Sequence, residues 1–174
     1  MTGTTVRCET SQPGSICISK PEVSQGADIH RLVARCEPLD LNSRYAYLLL
    51  CEHFADTCVL ARAEEVVGFV SAYKPPARDD TIFVWQVAVD ARMRGKGVAA
   101  ALLEELIQRP QVMGCRYLET TISPSNTASR ALFQGLARNL RAPINETVLF
   151  PDSVFGEEAH ECEMLIRIGP FPGK

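Results

Sequence analysis

Arg92, Arg94 and Lys96 alternate with Met93, Gly95 and Gly97 where a block of apolar residues gives way to a helical pattern beginning near Val98 and Ala99. The first backbone N–H groups of a helix have no partner inside it, and the helix dipole adds positive potential there, so an anion is stabilised at such a junction. Glycine lets the backbone approach a ligand closely, and the three cations add charge for phosphates that stay partly in water. The amides between Arg92 and Ala99 are therefore expected to grip a diphosphate. Several loops answer to that description. A P-loop requires Ser or Thr after its Gly-Lys, but Lys96 is followed by Gly97, so that reading fails. Gly95, Gly97 and Ala100 satisfy G-x-G-x-x-G/A, yet a dinucleotide fold should carry this motif directly after an early strand with a second half to follow. Arg94, Gly97 and Ala99 satisfy a third pattern, Q/R-x-x-G-x-G/A, which as a bare string also suits a charged loop capping an ordinary helix.

The elements that must hold this junction are legible on both sides. Residues 81–89, nearly continuous apolar and β-branched, predict a central strand buried on both faces, and Leu102, Leu103 and Leu106 with Ala99 give the following helix one apolar side. Residues 115–123 predict a next strand and 125–140 a next helix, its stripe made by Ala128, Ala131, Leu132, Gly135 and Leu136. Strand, helix, strand, helix places a parallel pair inside a mixed sheet. Upstream, residues 15–22 predict a short strand, 27–38 a helix closed by Pro38, 43–55 a second helix, and 57–76 two strands joined by a turn at Glu64-Glu65. Downstream, residues 145–150 and 160–168 predict two final strands. The fold class expected is α/β (α+β), a mixed sheet of about seven strands flanked by about four helices, in a single domain over residues 15–170 behind a disordered tail at residues 1–14.

Composition narrows the partners. A net charge of -3 and scattered cations leave no footprint for nucleic acid. No apolar run approaches the roughly 20 residues needed to cross a bilayer, and the polar start lacks a signal pattern, so a cytoplasmic protein without membrane contact is expected. The cysteines, 7 in number and without a C-x-x-C pair, read as reduced core residues, with no metal site.

The loop, the strand before it and the helix after it together resemble the GCN5-related N-acetyltransferase family. In that family the central strand, here with Val87, Ala88 and Val89, holds the pantetheine arm of acetyl-CoA. The loop, here Arg92, Arg94, Gly95, Lys96, Gly97, Val98 and Ala99, binds its diphosphate. A later helix carries N-x-x-A-x-x-L-Y, against which Asn126, Ser129, Leu132 and Phe133 fall in register. The resemblance implies acetyl-CoA as donor and a homodimer. One departure is Phe133, which stands where the family often has a tyrosine proposed to protonate the leaving thiolate; a CoA thiol, near the roughly 8.5 of a cysteine, tolerates leaving unprotonated.

Residues 39–61, with 84–97 and 121–133, resemble the branch of that family that acetylates the 4-amino group of L-2,4-diaminobutyrate in ectoine biosynthesis. A zwitterionic diamine needs an anion for its ammonium, a donor for its carboxylate and a route for one proton to leave. Asp40 is the candidate ammonium anchor; Asp40, Asn42 and Ser43 are all N-cap residue types as well. Tyr45 offers a hydroxyl, and Trp85, two residues before Val87 and so on its face of the strand, offers a wall and an N–H. His160 and Glu161, expected on opposite sides of the last strand, are the candidate bases, Glu161 ahead of His160. Transfer is expected directly within a ternary complex, an amide near Val87–Val89 holding the developing oxyanion. Rival readings are an acetyltransferase for another small amine, such as a polyamine, lysine or an aminoglycoside, and a non-catalytic acyl-CoA sensor.

Overall fold

The computed structural model describes residues 15–156 and 160–171, so the expected tail lies outside the described residues. Along the chain run β1 (Cys17–Ser19), α1 (Gly26–Val33), α2 (Arg44–His53), β2 (Val59–Arg62), β3 (Val66–Tyr73), β4 (Thr81–Val89), α3 (Val98–Gln108), β5 (Tyr117–Ile122), α4 (Thr127–Leu140), β6 (Ile144–Phe150) and β7 (Glu163–Ile168). The strands form one sheet in the order β1-β2-β3-β4-β5-β7-β6. Only β4 and β5 are parallel, as their connection through α3 requires, and every other neighbour is antiparallel. The mixed sheet of seven strands and four helices is the one expected.

Two apolar clusters cover the two faces. One joins Leu102, Leu103 and Leu106 of α3 and Phe133, Leu136 and Ala137 of α4 to Ile82, Val84, Leu118 and Ile166 of the sheet. The other joins Ile29, Leu32 and Val33 of α1 and Tyr47, Leu50 and Cys51 of α2 to Leu60, Phe69 and Ala88. Ser43 caps α2 by accepting from the Ala46 amide at 3.2 Å. Helix α4 is rotated from its expected stripe: Leu136 is buried as expected, but Ala128 and Ala131 are exposed, and Phe133 and Ala137 are buried in their place. A spacing of i, i+3, i+4 fits either set, and burying the large Phe133 ring removes more apolar surface from water than burying two alanines does.

Strand β4 does not hold the strict alternation expected of it. Ser71 pairs with Gln86 and Ala72 pairs with Val84, so Trp85 is an extra residue, a β-bulge. Ile82 and Val84 lie in the α3–α4 cluster and Val87 and Val89 pack against it, whereas Ala88 lies in the α1–α2 cluster. The side-chain period therefore slips between Val84 and Val87, and the rule that would place Trp85 on the face of Val87 does not apply across the bulge. Trp85 is 45% exposed, so this stretch is not buried on both faces. Parallel pairing to β5 also stops here: it runs from Thr81–Tyr117 to Val84–Thr120, after which β4 continues to Val89 paired with β3 only, while β5 keeps its pairing with β7. The sheet is forked.

Three charged residues are buried among those described: Asp90, taken up below, Arg109 and Glu119. Arg109, closing α3, donates to the carbonyls of Ala55 at 3.2 Å and Cys58 at 2.5 Å and pairs with Glu105 at 3.6 Å. Glu119 on β5 pairs with Arg78 at 2.7 Å and with Arg167, whose guanidinium lies 3.8 Å above the Tyr117 ring. Cys36, Cys51, Cys58 and Cys115 are free and buried. Burial pushes the Cys51 thiol up to about 11 and that of Cys58 to about 12, so both stay protonated and inert near neutrality.

Candidate active site

A cavity of about 410 Å³ opens at the fork. Val87 and Val89 form its floor, Met93, Arg94, Gly95 and Gly97 with Val98–Ala100 one wall, Asn126, Ala128, Ser129 and Leu132 of α4 another, and Cys36, Glu37, Pro38 and Leu39 the third. Gly95 and Gly97 have φ of 74° and 79°, a region that costs other residues strain, and nothing lies within 4 Å of where a Cβ would stand on either. The first intrahelical bond at this end of α3 is donated by Ala101 to the Gly97 carbonyl at 3.0 Å, so the amides of Val98, Ala99 and Ala100 precede it.

The cradle is shorter than the sequence suggests. Asp90 takes the Arg92 amide at 2.9 Å, and the amides of Met93 and Arg94 bond the carbonyls of Asp90 and Ala91 at 2.8 and 3.3 Å. Lys96 N–H reaches the Met93 carbonyl at 3.4 Å. Of the three cations, only Arg94 lines the cavity, its Nε donating to the Val89 carbonyl at 3.3 Å. Arg92 is spent on Asp90 and Glu65, and Lys96 lies exposed with its Nζ 3.9 Å from the Met93 sulfur. Asn126 caps α4 by accepting from Ser129 N–H at 3.1 Å, and both residues line the cavity. Phe133 does not; it is core. Ala88 is fully buried on the far face, so at the fork it offers backbone alone.

Asp90 is the anchor of this loop. Its carboxylate, 7% exposed, also takes Arg92 Nε at 2.9 Å and faces Arg35 at 3.4 Å, and its own amide bonds the Val67 carbonyl at 2.9 Å. The Arg92 bonds hold its carboxyl down at about 2, below the ordinary 3.8. Because the folded value is the lower, the stabilisation is complete above about pH 4 and is lost as pH falls through about 2. Thermal unfolding between pH 2 and 5 should therefore show a smaller acid-induced loss of Tm in Asp90→Asn than in the wild type. Equal losses would refute that role.

The residues expected on the acceptor side gather beside the cavity without lining it. The Asp40 carbonyl accepts from Gln86 Nε2 at 2.7 Å, the Asn42 amide donates to the Tyr47 hydroxyl at 3.4 Å, and Ser43 caps α2. Tyr45 is exposed, as is Trp85. His53 is exposed, while His30 packs edge-on against Tyr47 at 5.9 Å. His160 and Glu161 precede β7, so they are not on opposite sides of a strand. Glu161 accepts from the Ser125 amide at 3.0 Å beside the cavity wall, and the bonds from Ser125 hold its carboxyl below the usual range. His160 stacks on Phe155 at 3.9 Å and its Nδ1 lies 2.6 Å from the Glu161 carbonyl. Sequence reading missed Cys36–Leu39, Tyr47 and Gln86. A glutamine inside an apolar strand was the available signal, since a buried amide requires partners.

The chain matches the model of the acetyltransferase (GNAT) family over residues 27–137. It is 49% identical over 166 residues to an L-2,4-diaminobutyric acid acetyltransferase of Bordetella parapertussis, covering 92% of this chain and 89% of that one. To the protein of the same name in Marinococcus halophilus it is 48% identical, covering 90% and 91%. Among solved structures, the diaminobutyrate acetyltransferase EctA of Paenibacillus lautus, in complex with L-2,4-diaminobutyric acid and coenzyme A, superposes with a TM-score of 0.89 at 41% identity over 92% of this chain and 98% of that one. With a forked sheet, a glycine cradle at the start of α3 and likeness along nine-tenths of its length, the chain belongs to the GNAT acetyltransferase family.

Proposed function

We propose that the protein transfers the acetyl group of acetyl-CoA to the 4-amino group of L-2,4-diaminobutyrate, forming N4-acetyl-L-2,4-diaminobutyrate in ectoine biosynthesis, a step of osmoadaptation. The observation that carries this reading is the near-complete superposition on a relative bound to that diamine and coenzyme A. The residues present suit the donor: the amides of Val98–Ala100 and the Arg94 guanidinium meet a diphosphate, and the backbone of Val87–Val89, unpaired toward β5, meets an amide-bearing arm as a neighbouring strand would. Acetyl-CoA supplies an activated acyl group; the new C–N bond replaces its C–S bond, and the amine gives up one proton.

On the chain's side, a free amide of β4 near Val87–Val89 faces the developing oxyanion, and Asp40, Tyr45 and Trp85 meet the diamine. Its carboxylate held down by Ser125 makes Glu161 a poorer base and a better partner for an ammonium. The Glu161 carbonyl can only accept, so His160 Nδ1 donates to it, and in the neutral ring Nε2 is then the nitrogen that carries the lone pair. We therefore place proton removal at His160. His160→Asn should lower kcat by about 10²-fold, and Glu161→Gln should act mainly on the KM for the diamine; an unchanged kcat in His160→Asn would exclude the role.

Product identification by mass spectrometry and NMR, on a panel of amines, tests the whole reading. Acetyl on the 2-amino nitrogen, or turnover of a polyamine without turnover of diaminobutyrate, would overturn it. Among the described residues no helix is long and apolar enough to cross a membrane, and free buried thiols suit a cytoplasmic setting. A homodimer is supported by β6, an edge strand exposed at every residue, with Ile144, Val148, Leu149 and Phe150 among them. Sedimentation at micromolar concentration should show a dimer that Val148→Lys dissociates; a wild-type monomer would dismiss it.

A further inference from the structure

A buried polar chain crosses from α2 to the bulged strand. The Asn42 amide donates to the Tyr47 hydroxyl at 3.4 Å, that hydroxyl donates to Gln86 Oε1 at 3.2 Å, and Gln86 Nε2 donates to the Asp40 carbonyl at 2.7 Å. The backbone amide of Gln86, next to the bulge, donates to Ser71 Oγ at 3.2 Å. Tyr47 and Ser71 are wholly buried and Gln86 is 4% exposed. The directions are mutually consistent: a carbonyl on Asp40 forces the amide nitrogen of Gln86 to that side, which leaves its oxygen to accept from Tyr47.

Every member is satisfied by another, so the chain has one arrangement and resists drift. Its two ends are functionally different. One is the connection Leu39–Asn42, which holds Asp40; the other is the residue immediately after Trp85, where β4 slips and the fork opens. Packing alone does not call for an amide here: a leucine at position 86 has a similar volume and would bury no polar group.

Resting on the acceptor assignment above, we propose that Gln86, with Tyr47, is a positioning residue that fixes the acceptor loop at Asp40 to the strand that carries the acetyl donor. Neither side chain meets a reactant. Their part is to set the distance between the anchored amine and the thioester, so their loss falls on the acceptor and spares the donor.

Gln86→Leu should lower kcat/KM for diaminobutyrate by about 30-fold, chiefly through KM, while the KM and calorimetric Kd of acetyl-CoA stay within about 3-fold of wild type. Tyr47→Phe should lose about 10-fold, and the double variant no more than Gln86→Leu alone, because both cut the same chain. Hydrogen exchange, read without any ligand, should quicken in peptides covering residues 37–46 of both variants and not in those covering α3. Equal weakening of donor and acceptor, additive losses, or unaltered exchange in residues 37–46 would each overturn the proposal. Wild-type turnover of diaminobutyrate is measured first; should it be absent, the acceptor assignment falls by itself and the exchange data alone decide for or against the link.

Discussion

Gly97→Val should raise the KM for acetyl-CoA by about 10²-fold while lowering Tm by only a few degrees. Two effects operate. At φ of 79° a Cβ costs about 1–2 kcal/mol of backbone strain, and the branched side chain projects into open space beside the amides of Val98–Ala100, where a diphosphate must come within hydrogen-bonding distance. The strain falls on Tm, and losing two charge-assisted bonds at about 1.5 kcal/mol each accounts for the rise in KM. Strain and obstruction separate cleanly, because Gly114 has a similar φ of 92° and equal space around it but lies away from the cavity. Gly114→Val should lower Tm by a like amount and leave KM alone. A wild-type KM in Gly97→Val, or the same rise in Gly114→Val, would refute the cradle.

Arg109→Met should cost about 2–4 kcal/mol of stability, a fall in Tm of roughly 5–15 °C for a chain of this size. Its guanidinium donates to the carbonyls of both Ala55 and Cys58 and ties the end of that helix to the entry of β2. Methionine retains most of the volume and leaves both carbonyls buried without the charged donor. The ion pair with Glu105 contributes little by comparison, since Glu105 is 44% exposed at 3.6 Å; Glu105→Gln should shift Tm by no more than about 2 °C. Denaturant titration would settle the matter, and a midpoint equal to wild type in Arg109→Met would show that water replaces the guanidinium freely.

The contrast between these two residues explains what could be read from the chain. Gly97 announces itself locally: its neighbours are glycine and cations, and a helical period starts one residue later, so both conformation and ligand class follow from adjacent positions. Arg109 looks like any solvated arginine at a helix end, and only the return of residues 55–58 from another part of the chain makes it a buried cap. The same divide runs through the site. Asn126, Gly95 and Val87 sit within single elements and were legible, whereas the bulge at Trp85 depends on the register with β3 and cannot be seen in β4 alone. His160 and Glu161 were assigned to a strand because apolar alternation from Met164 onward was extended backwards too far. The wall made by Cys36–Leu39 has no local pattern; it is a loop whose position is dictated by Tyr47 and Gln86.

Because β4 parts from β5 after Val84, the middle of the sheet contains a seam that protein alone does not sew. On the reading proposed above, acetyl-CoA along Val87–Val89 would supply the missing rungs and be at once reactant and structural filler. By mass action a ligand at 100 times its Kd adds about 2.7 kcal/mol to folding. On that reading, saturating acetyl-CoA should raise the Tm of this enzyme and slow its proteolysis, and withdrawal of the donor should reverse both.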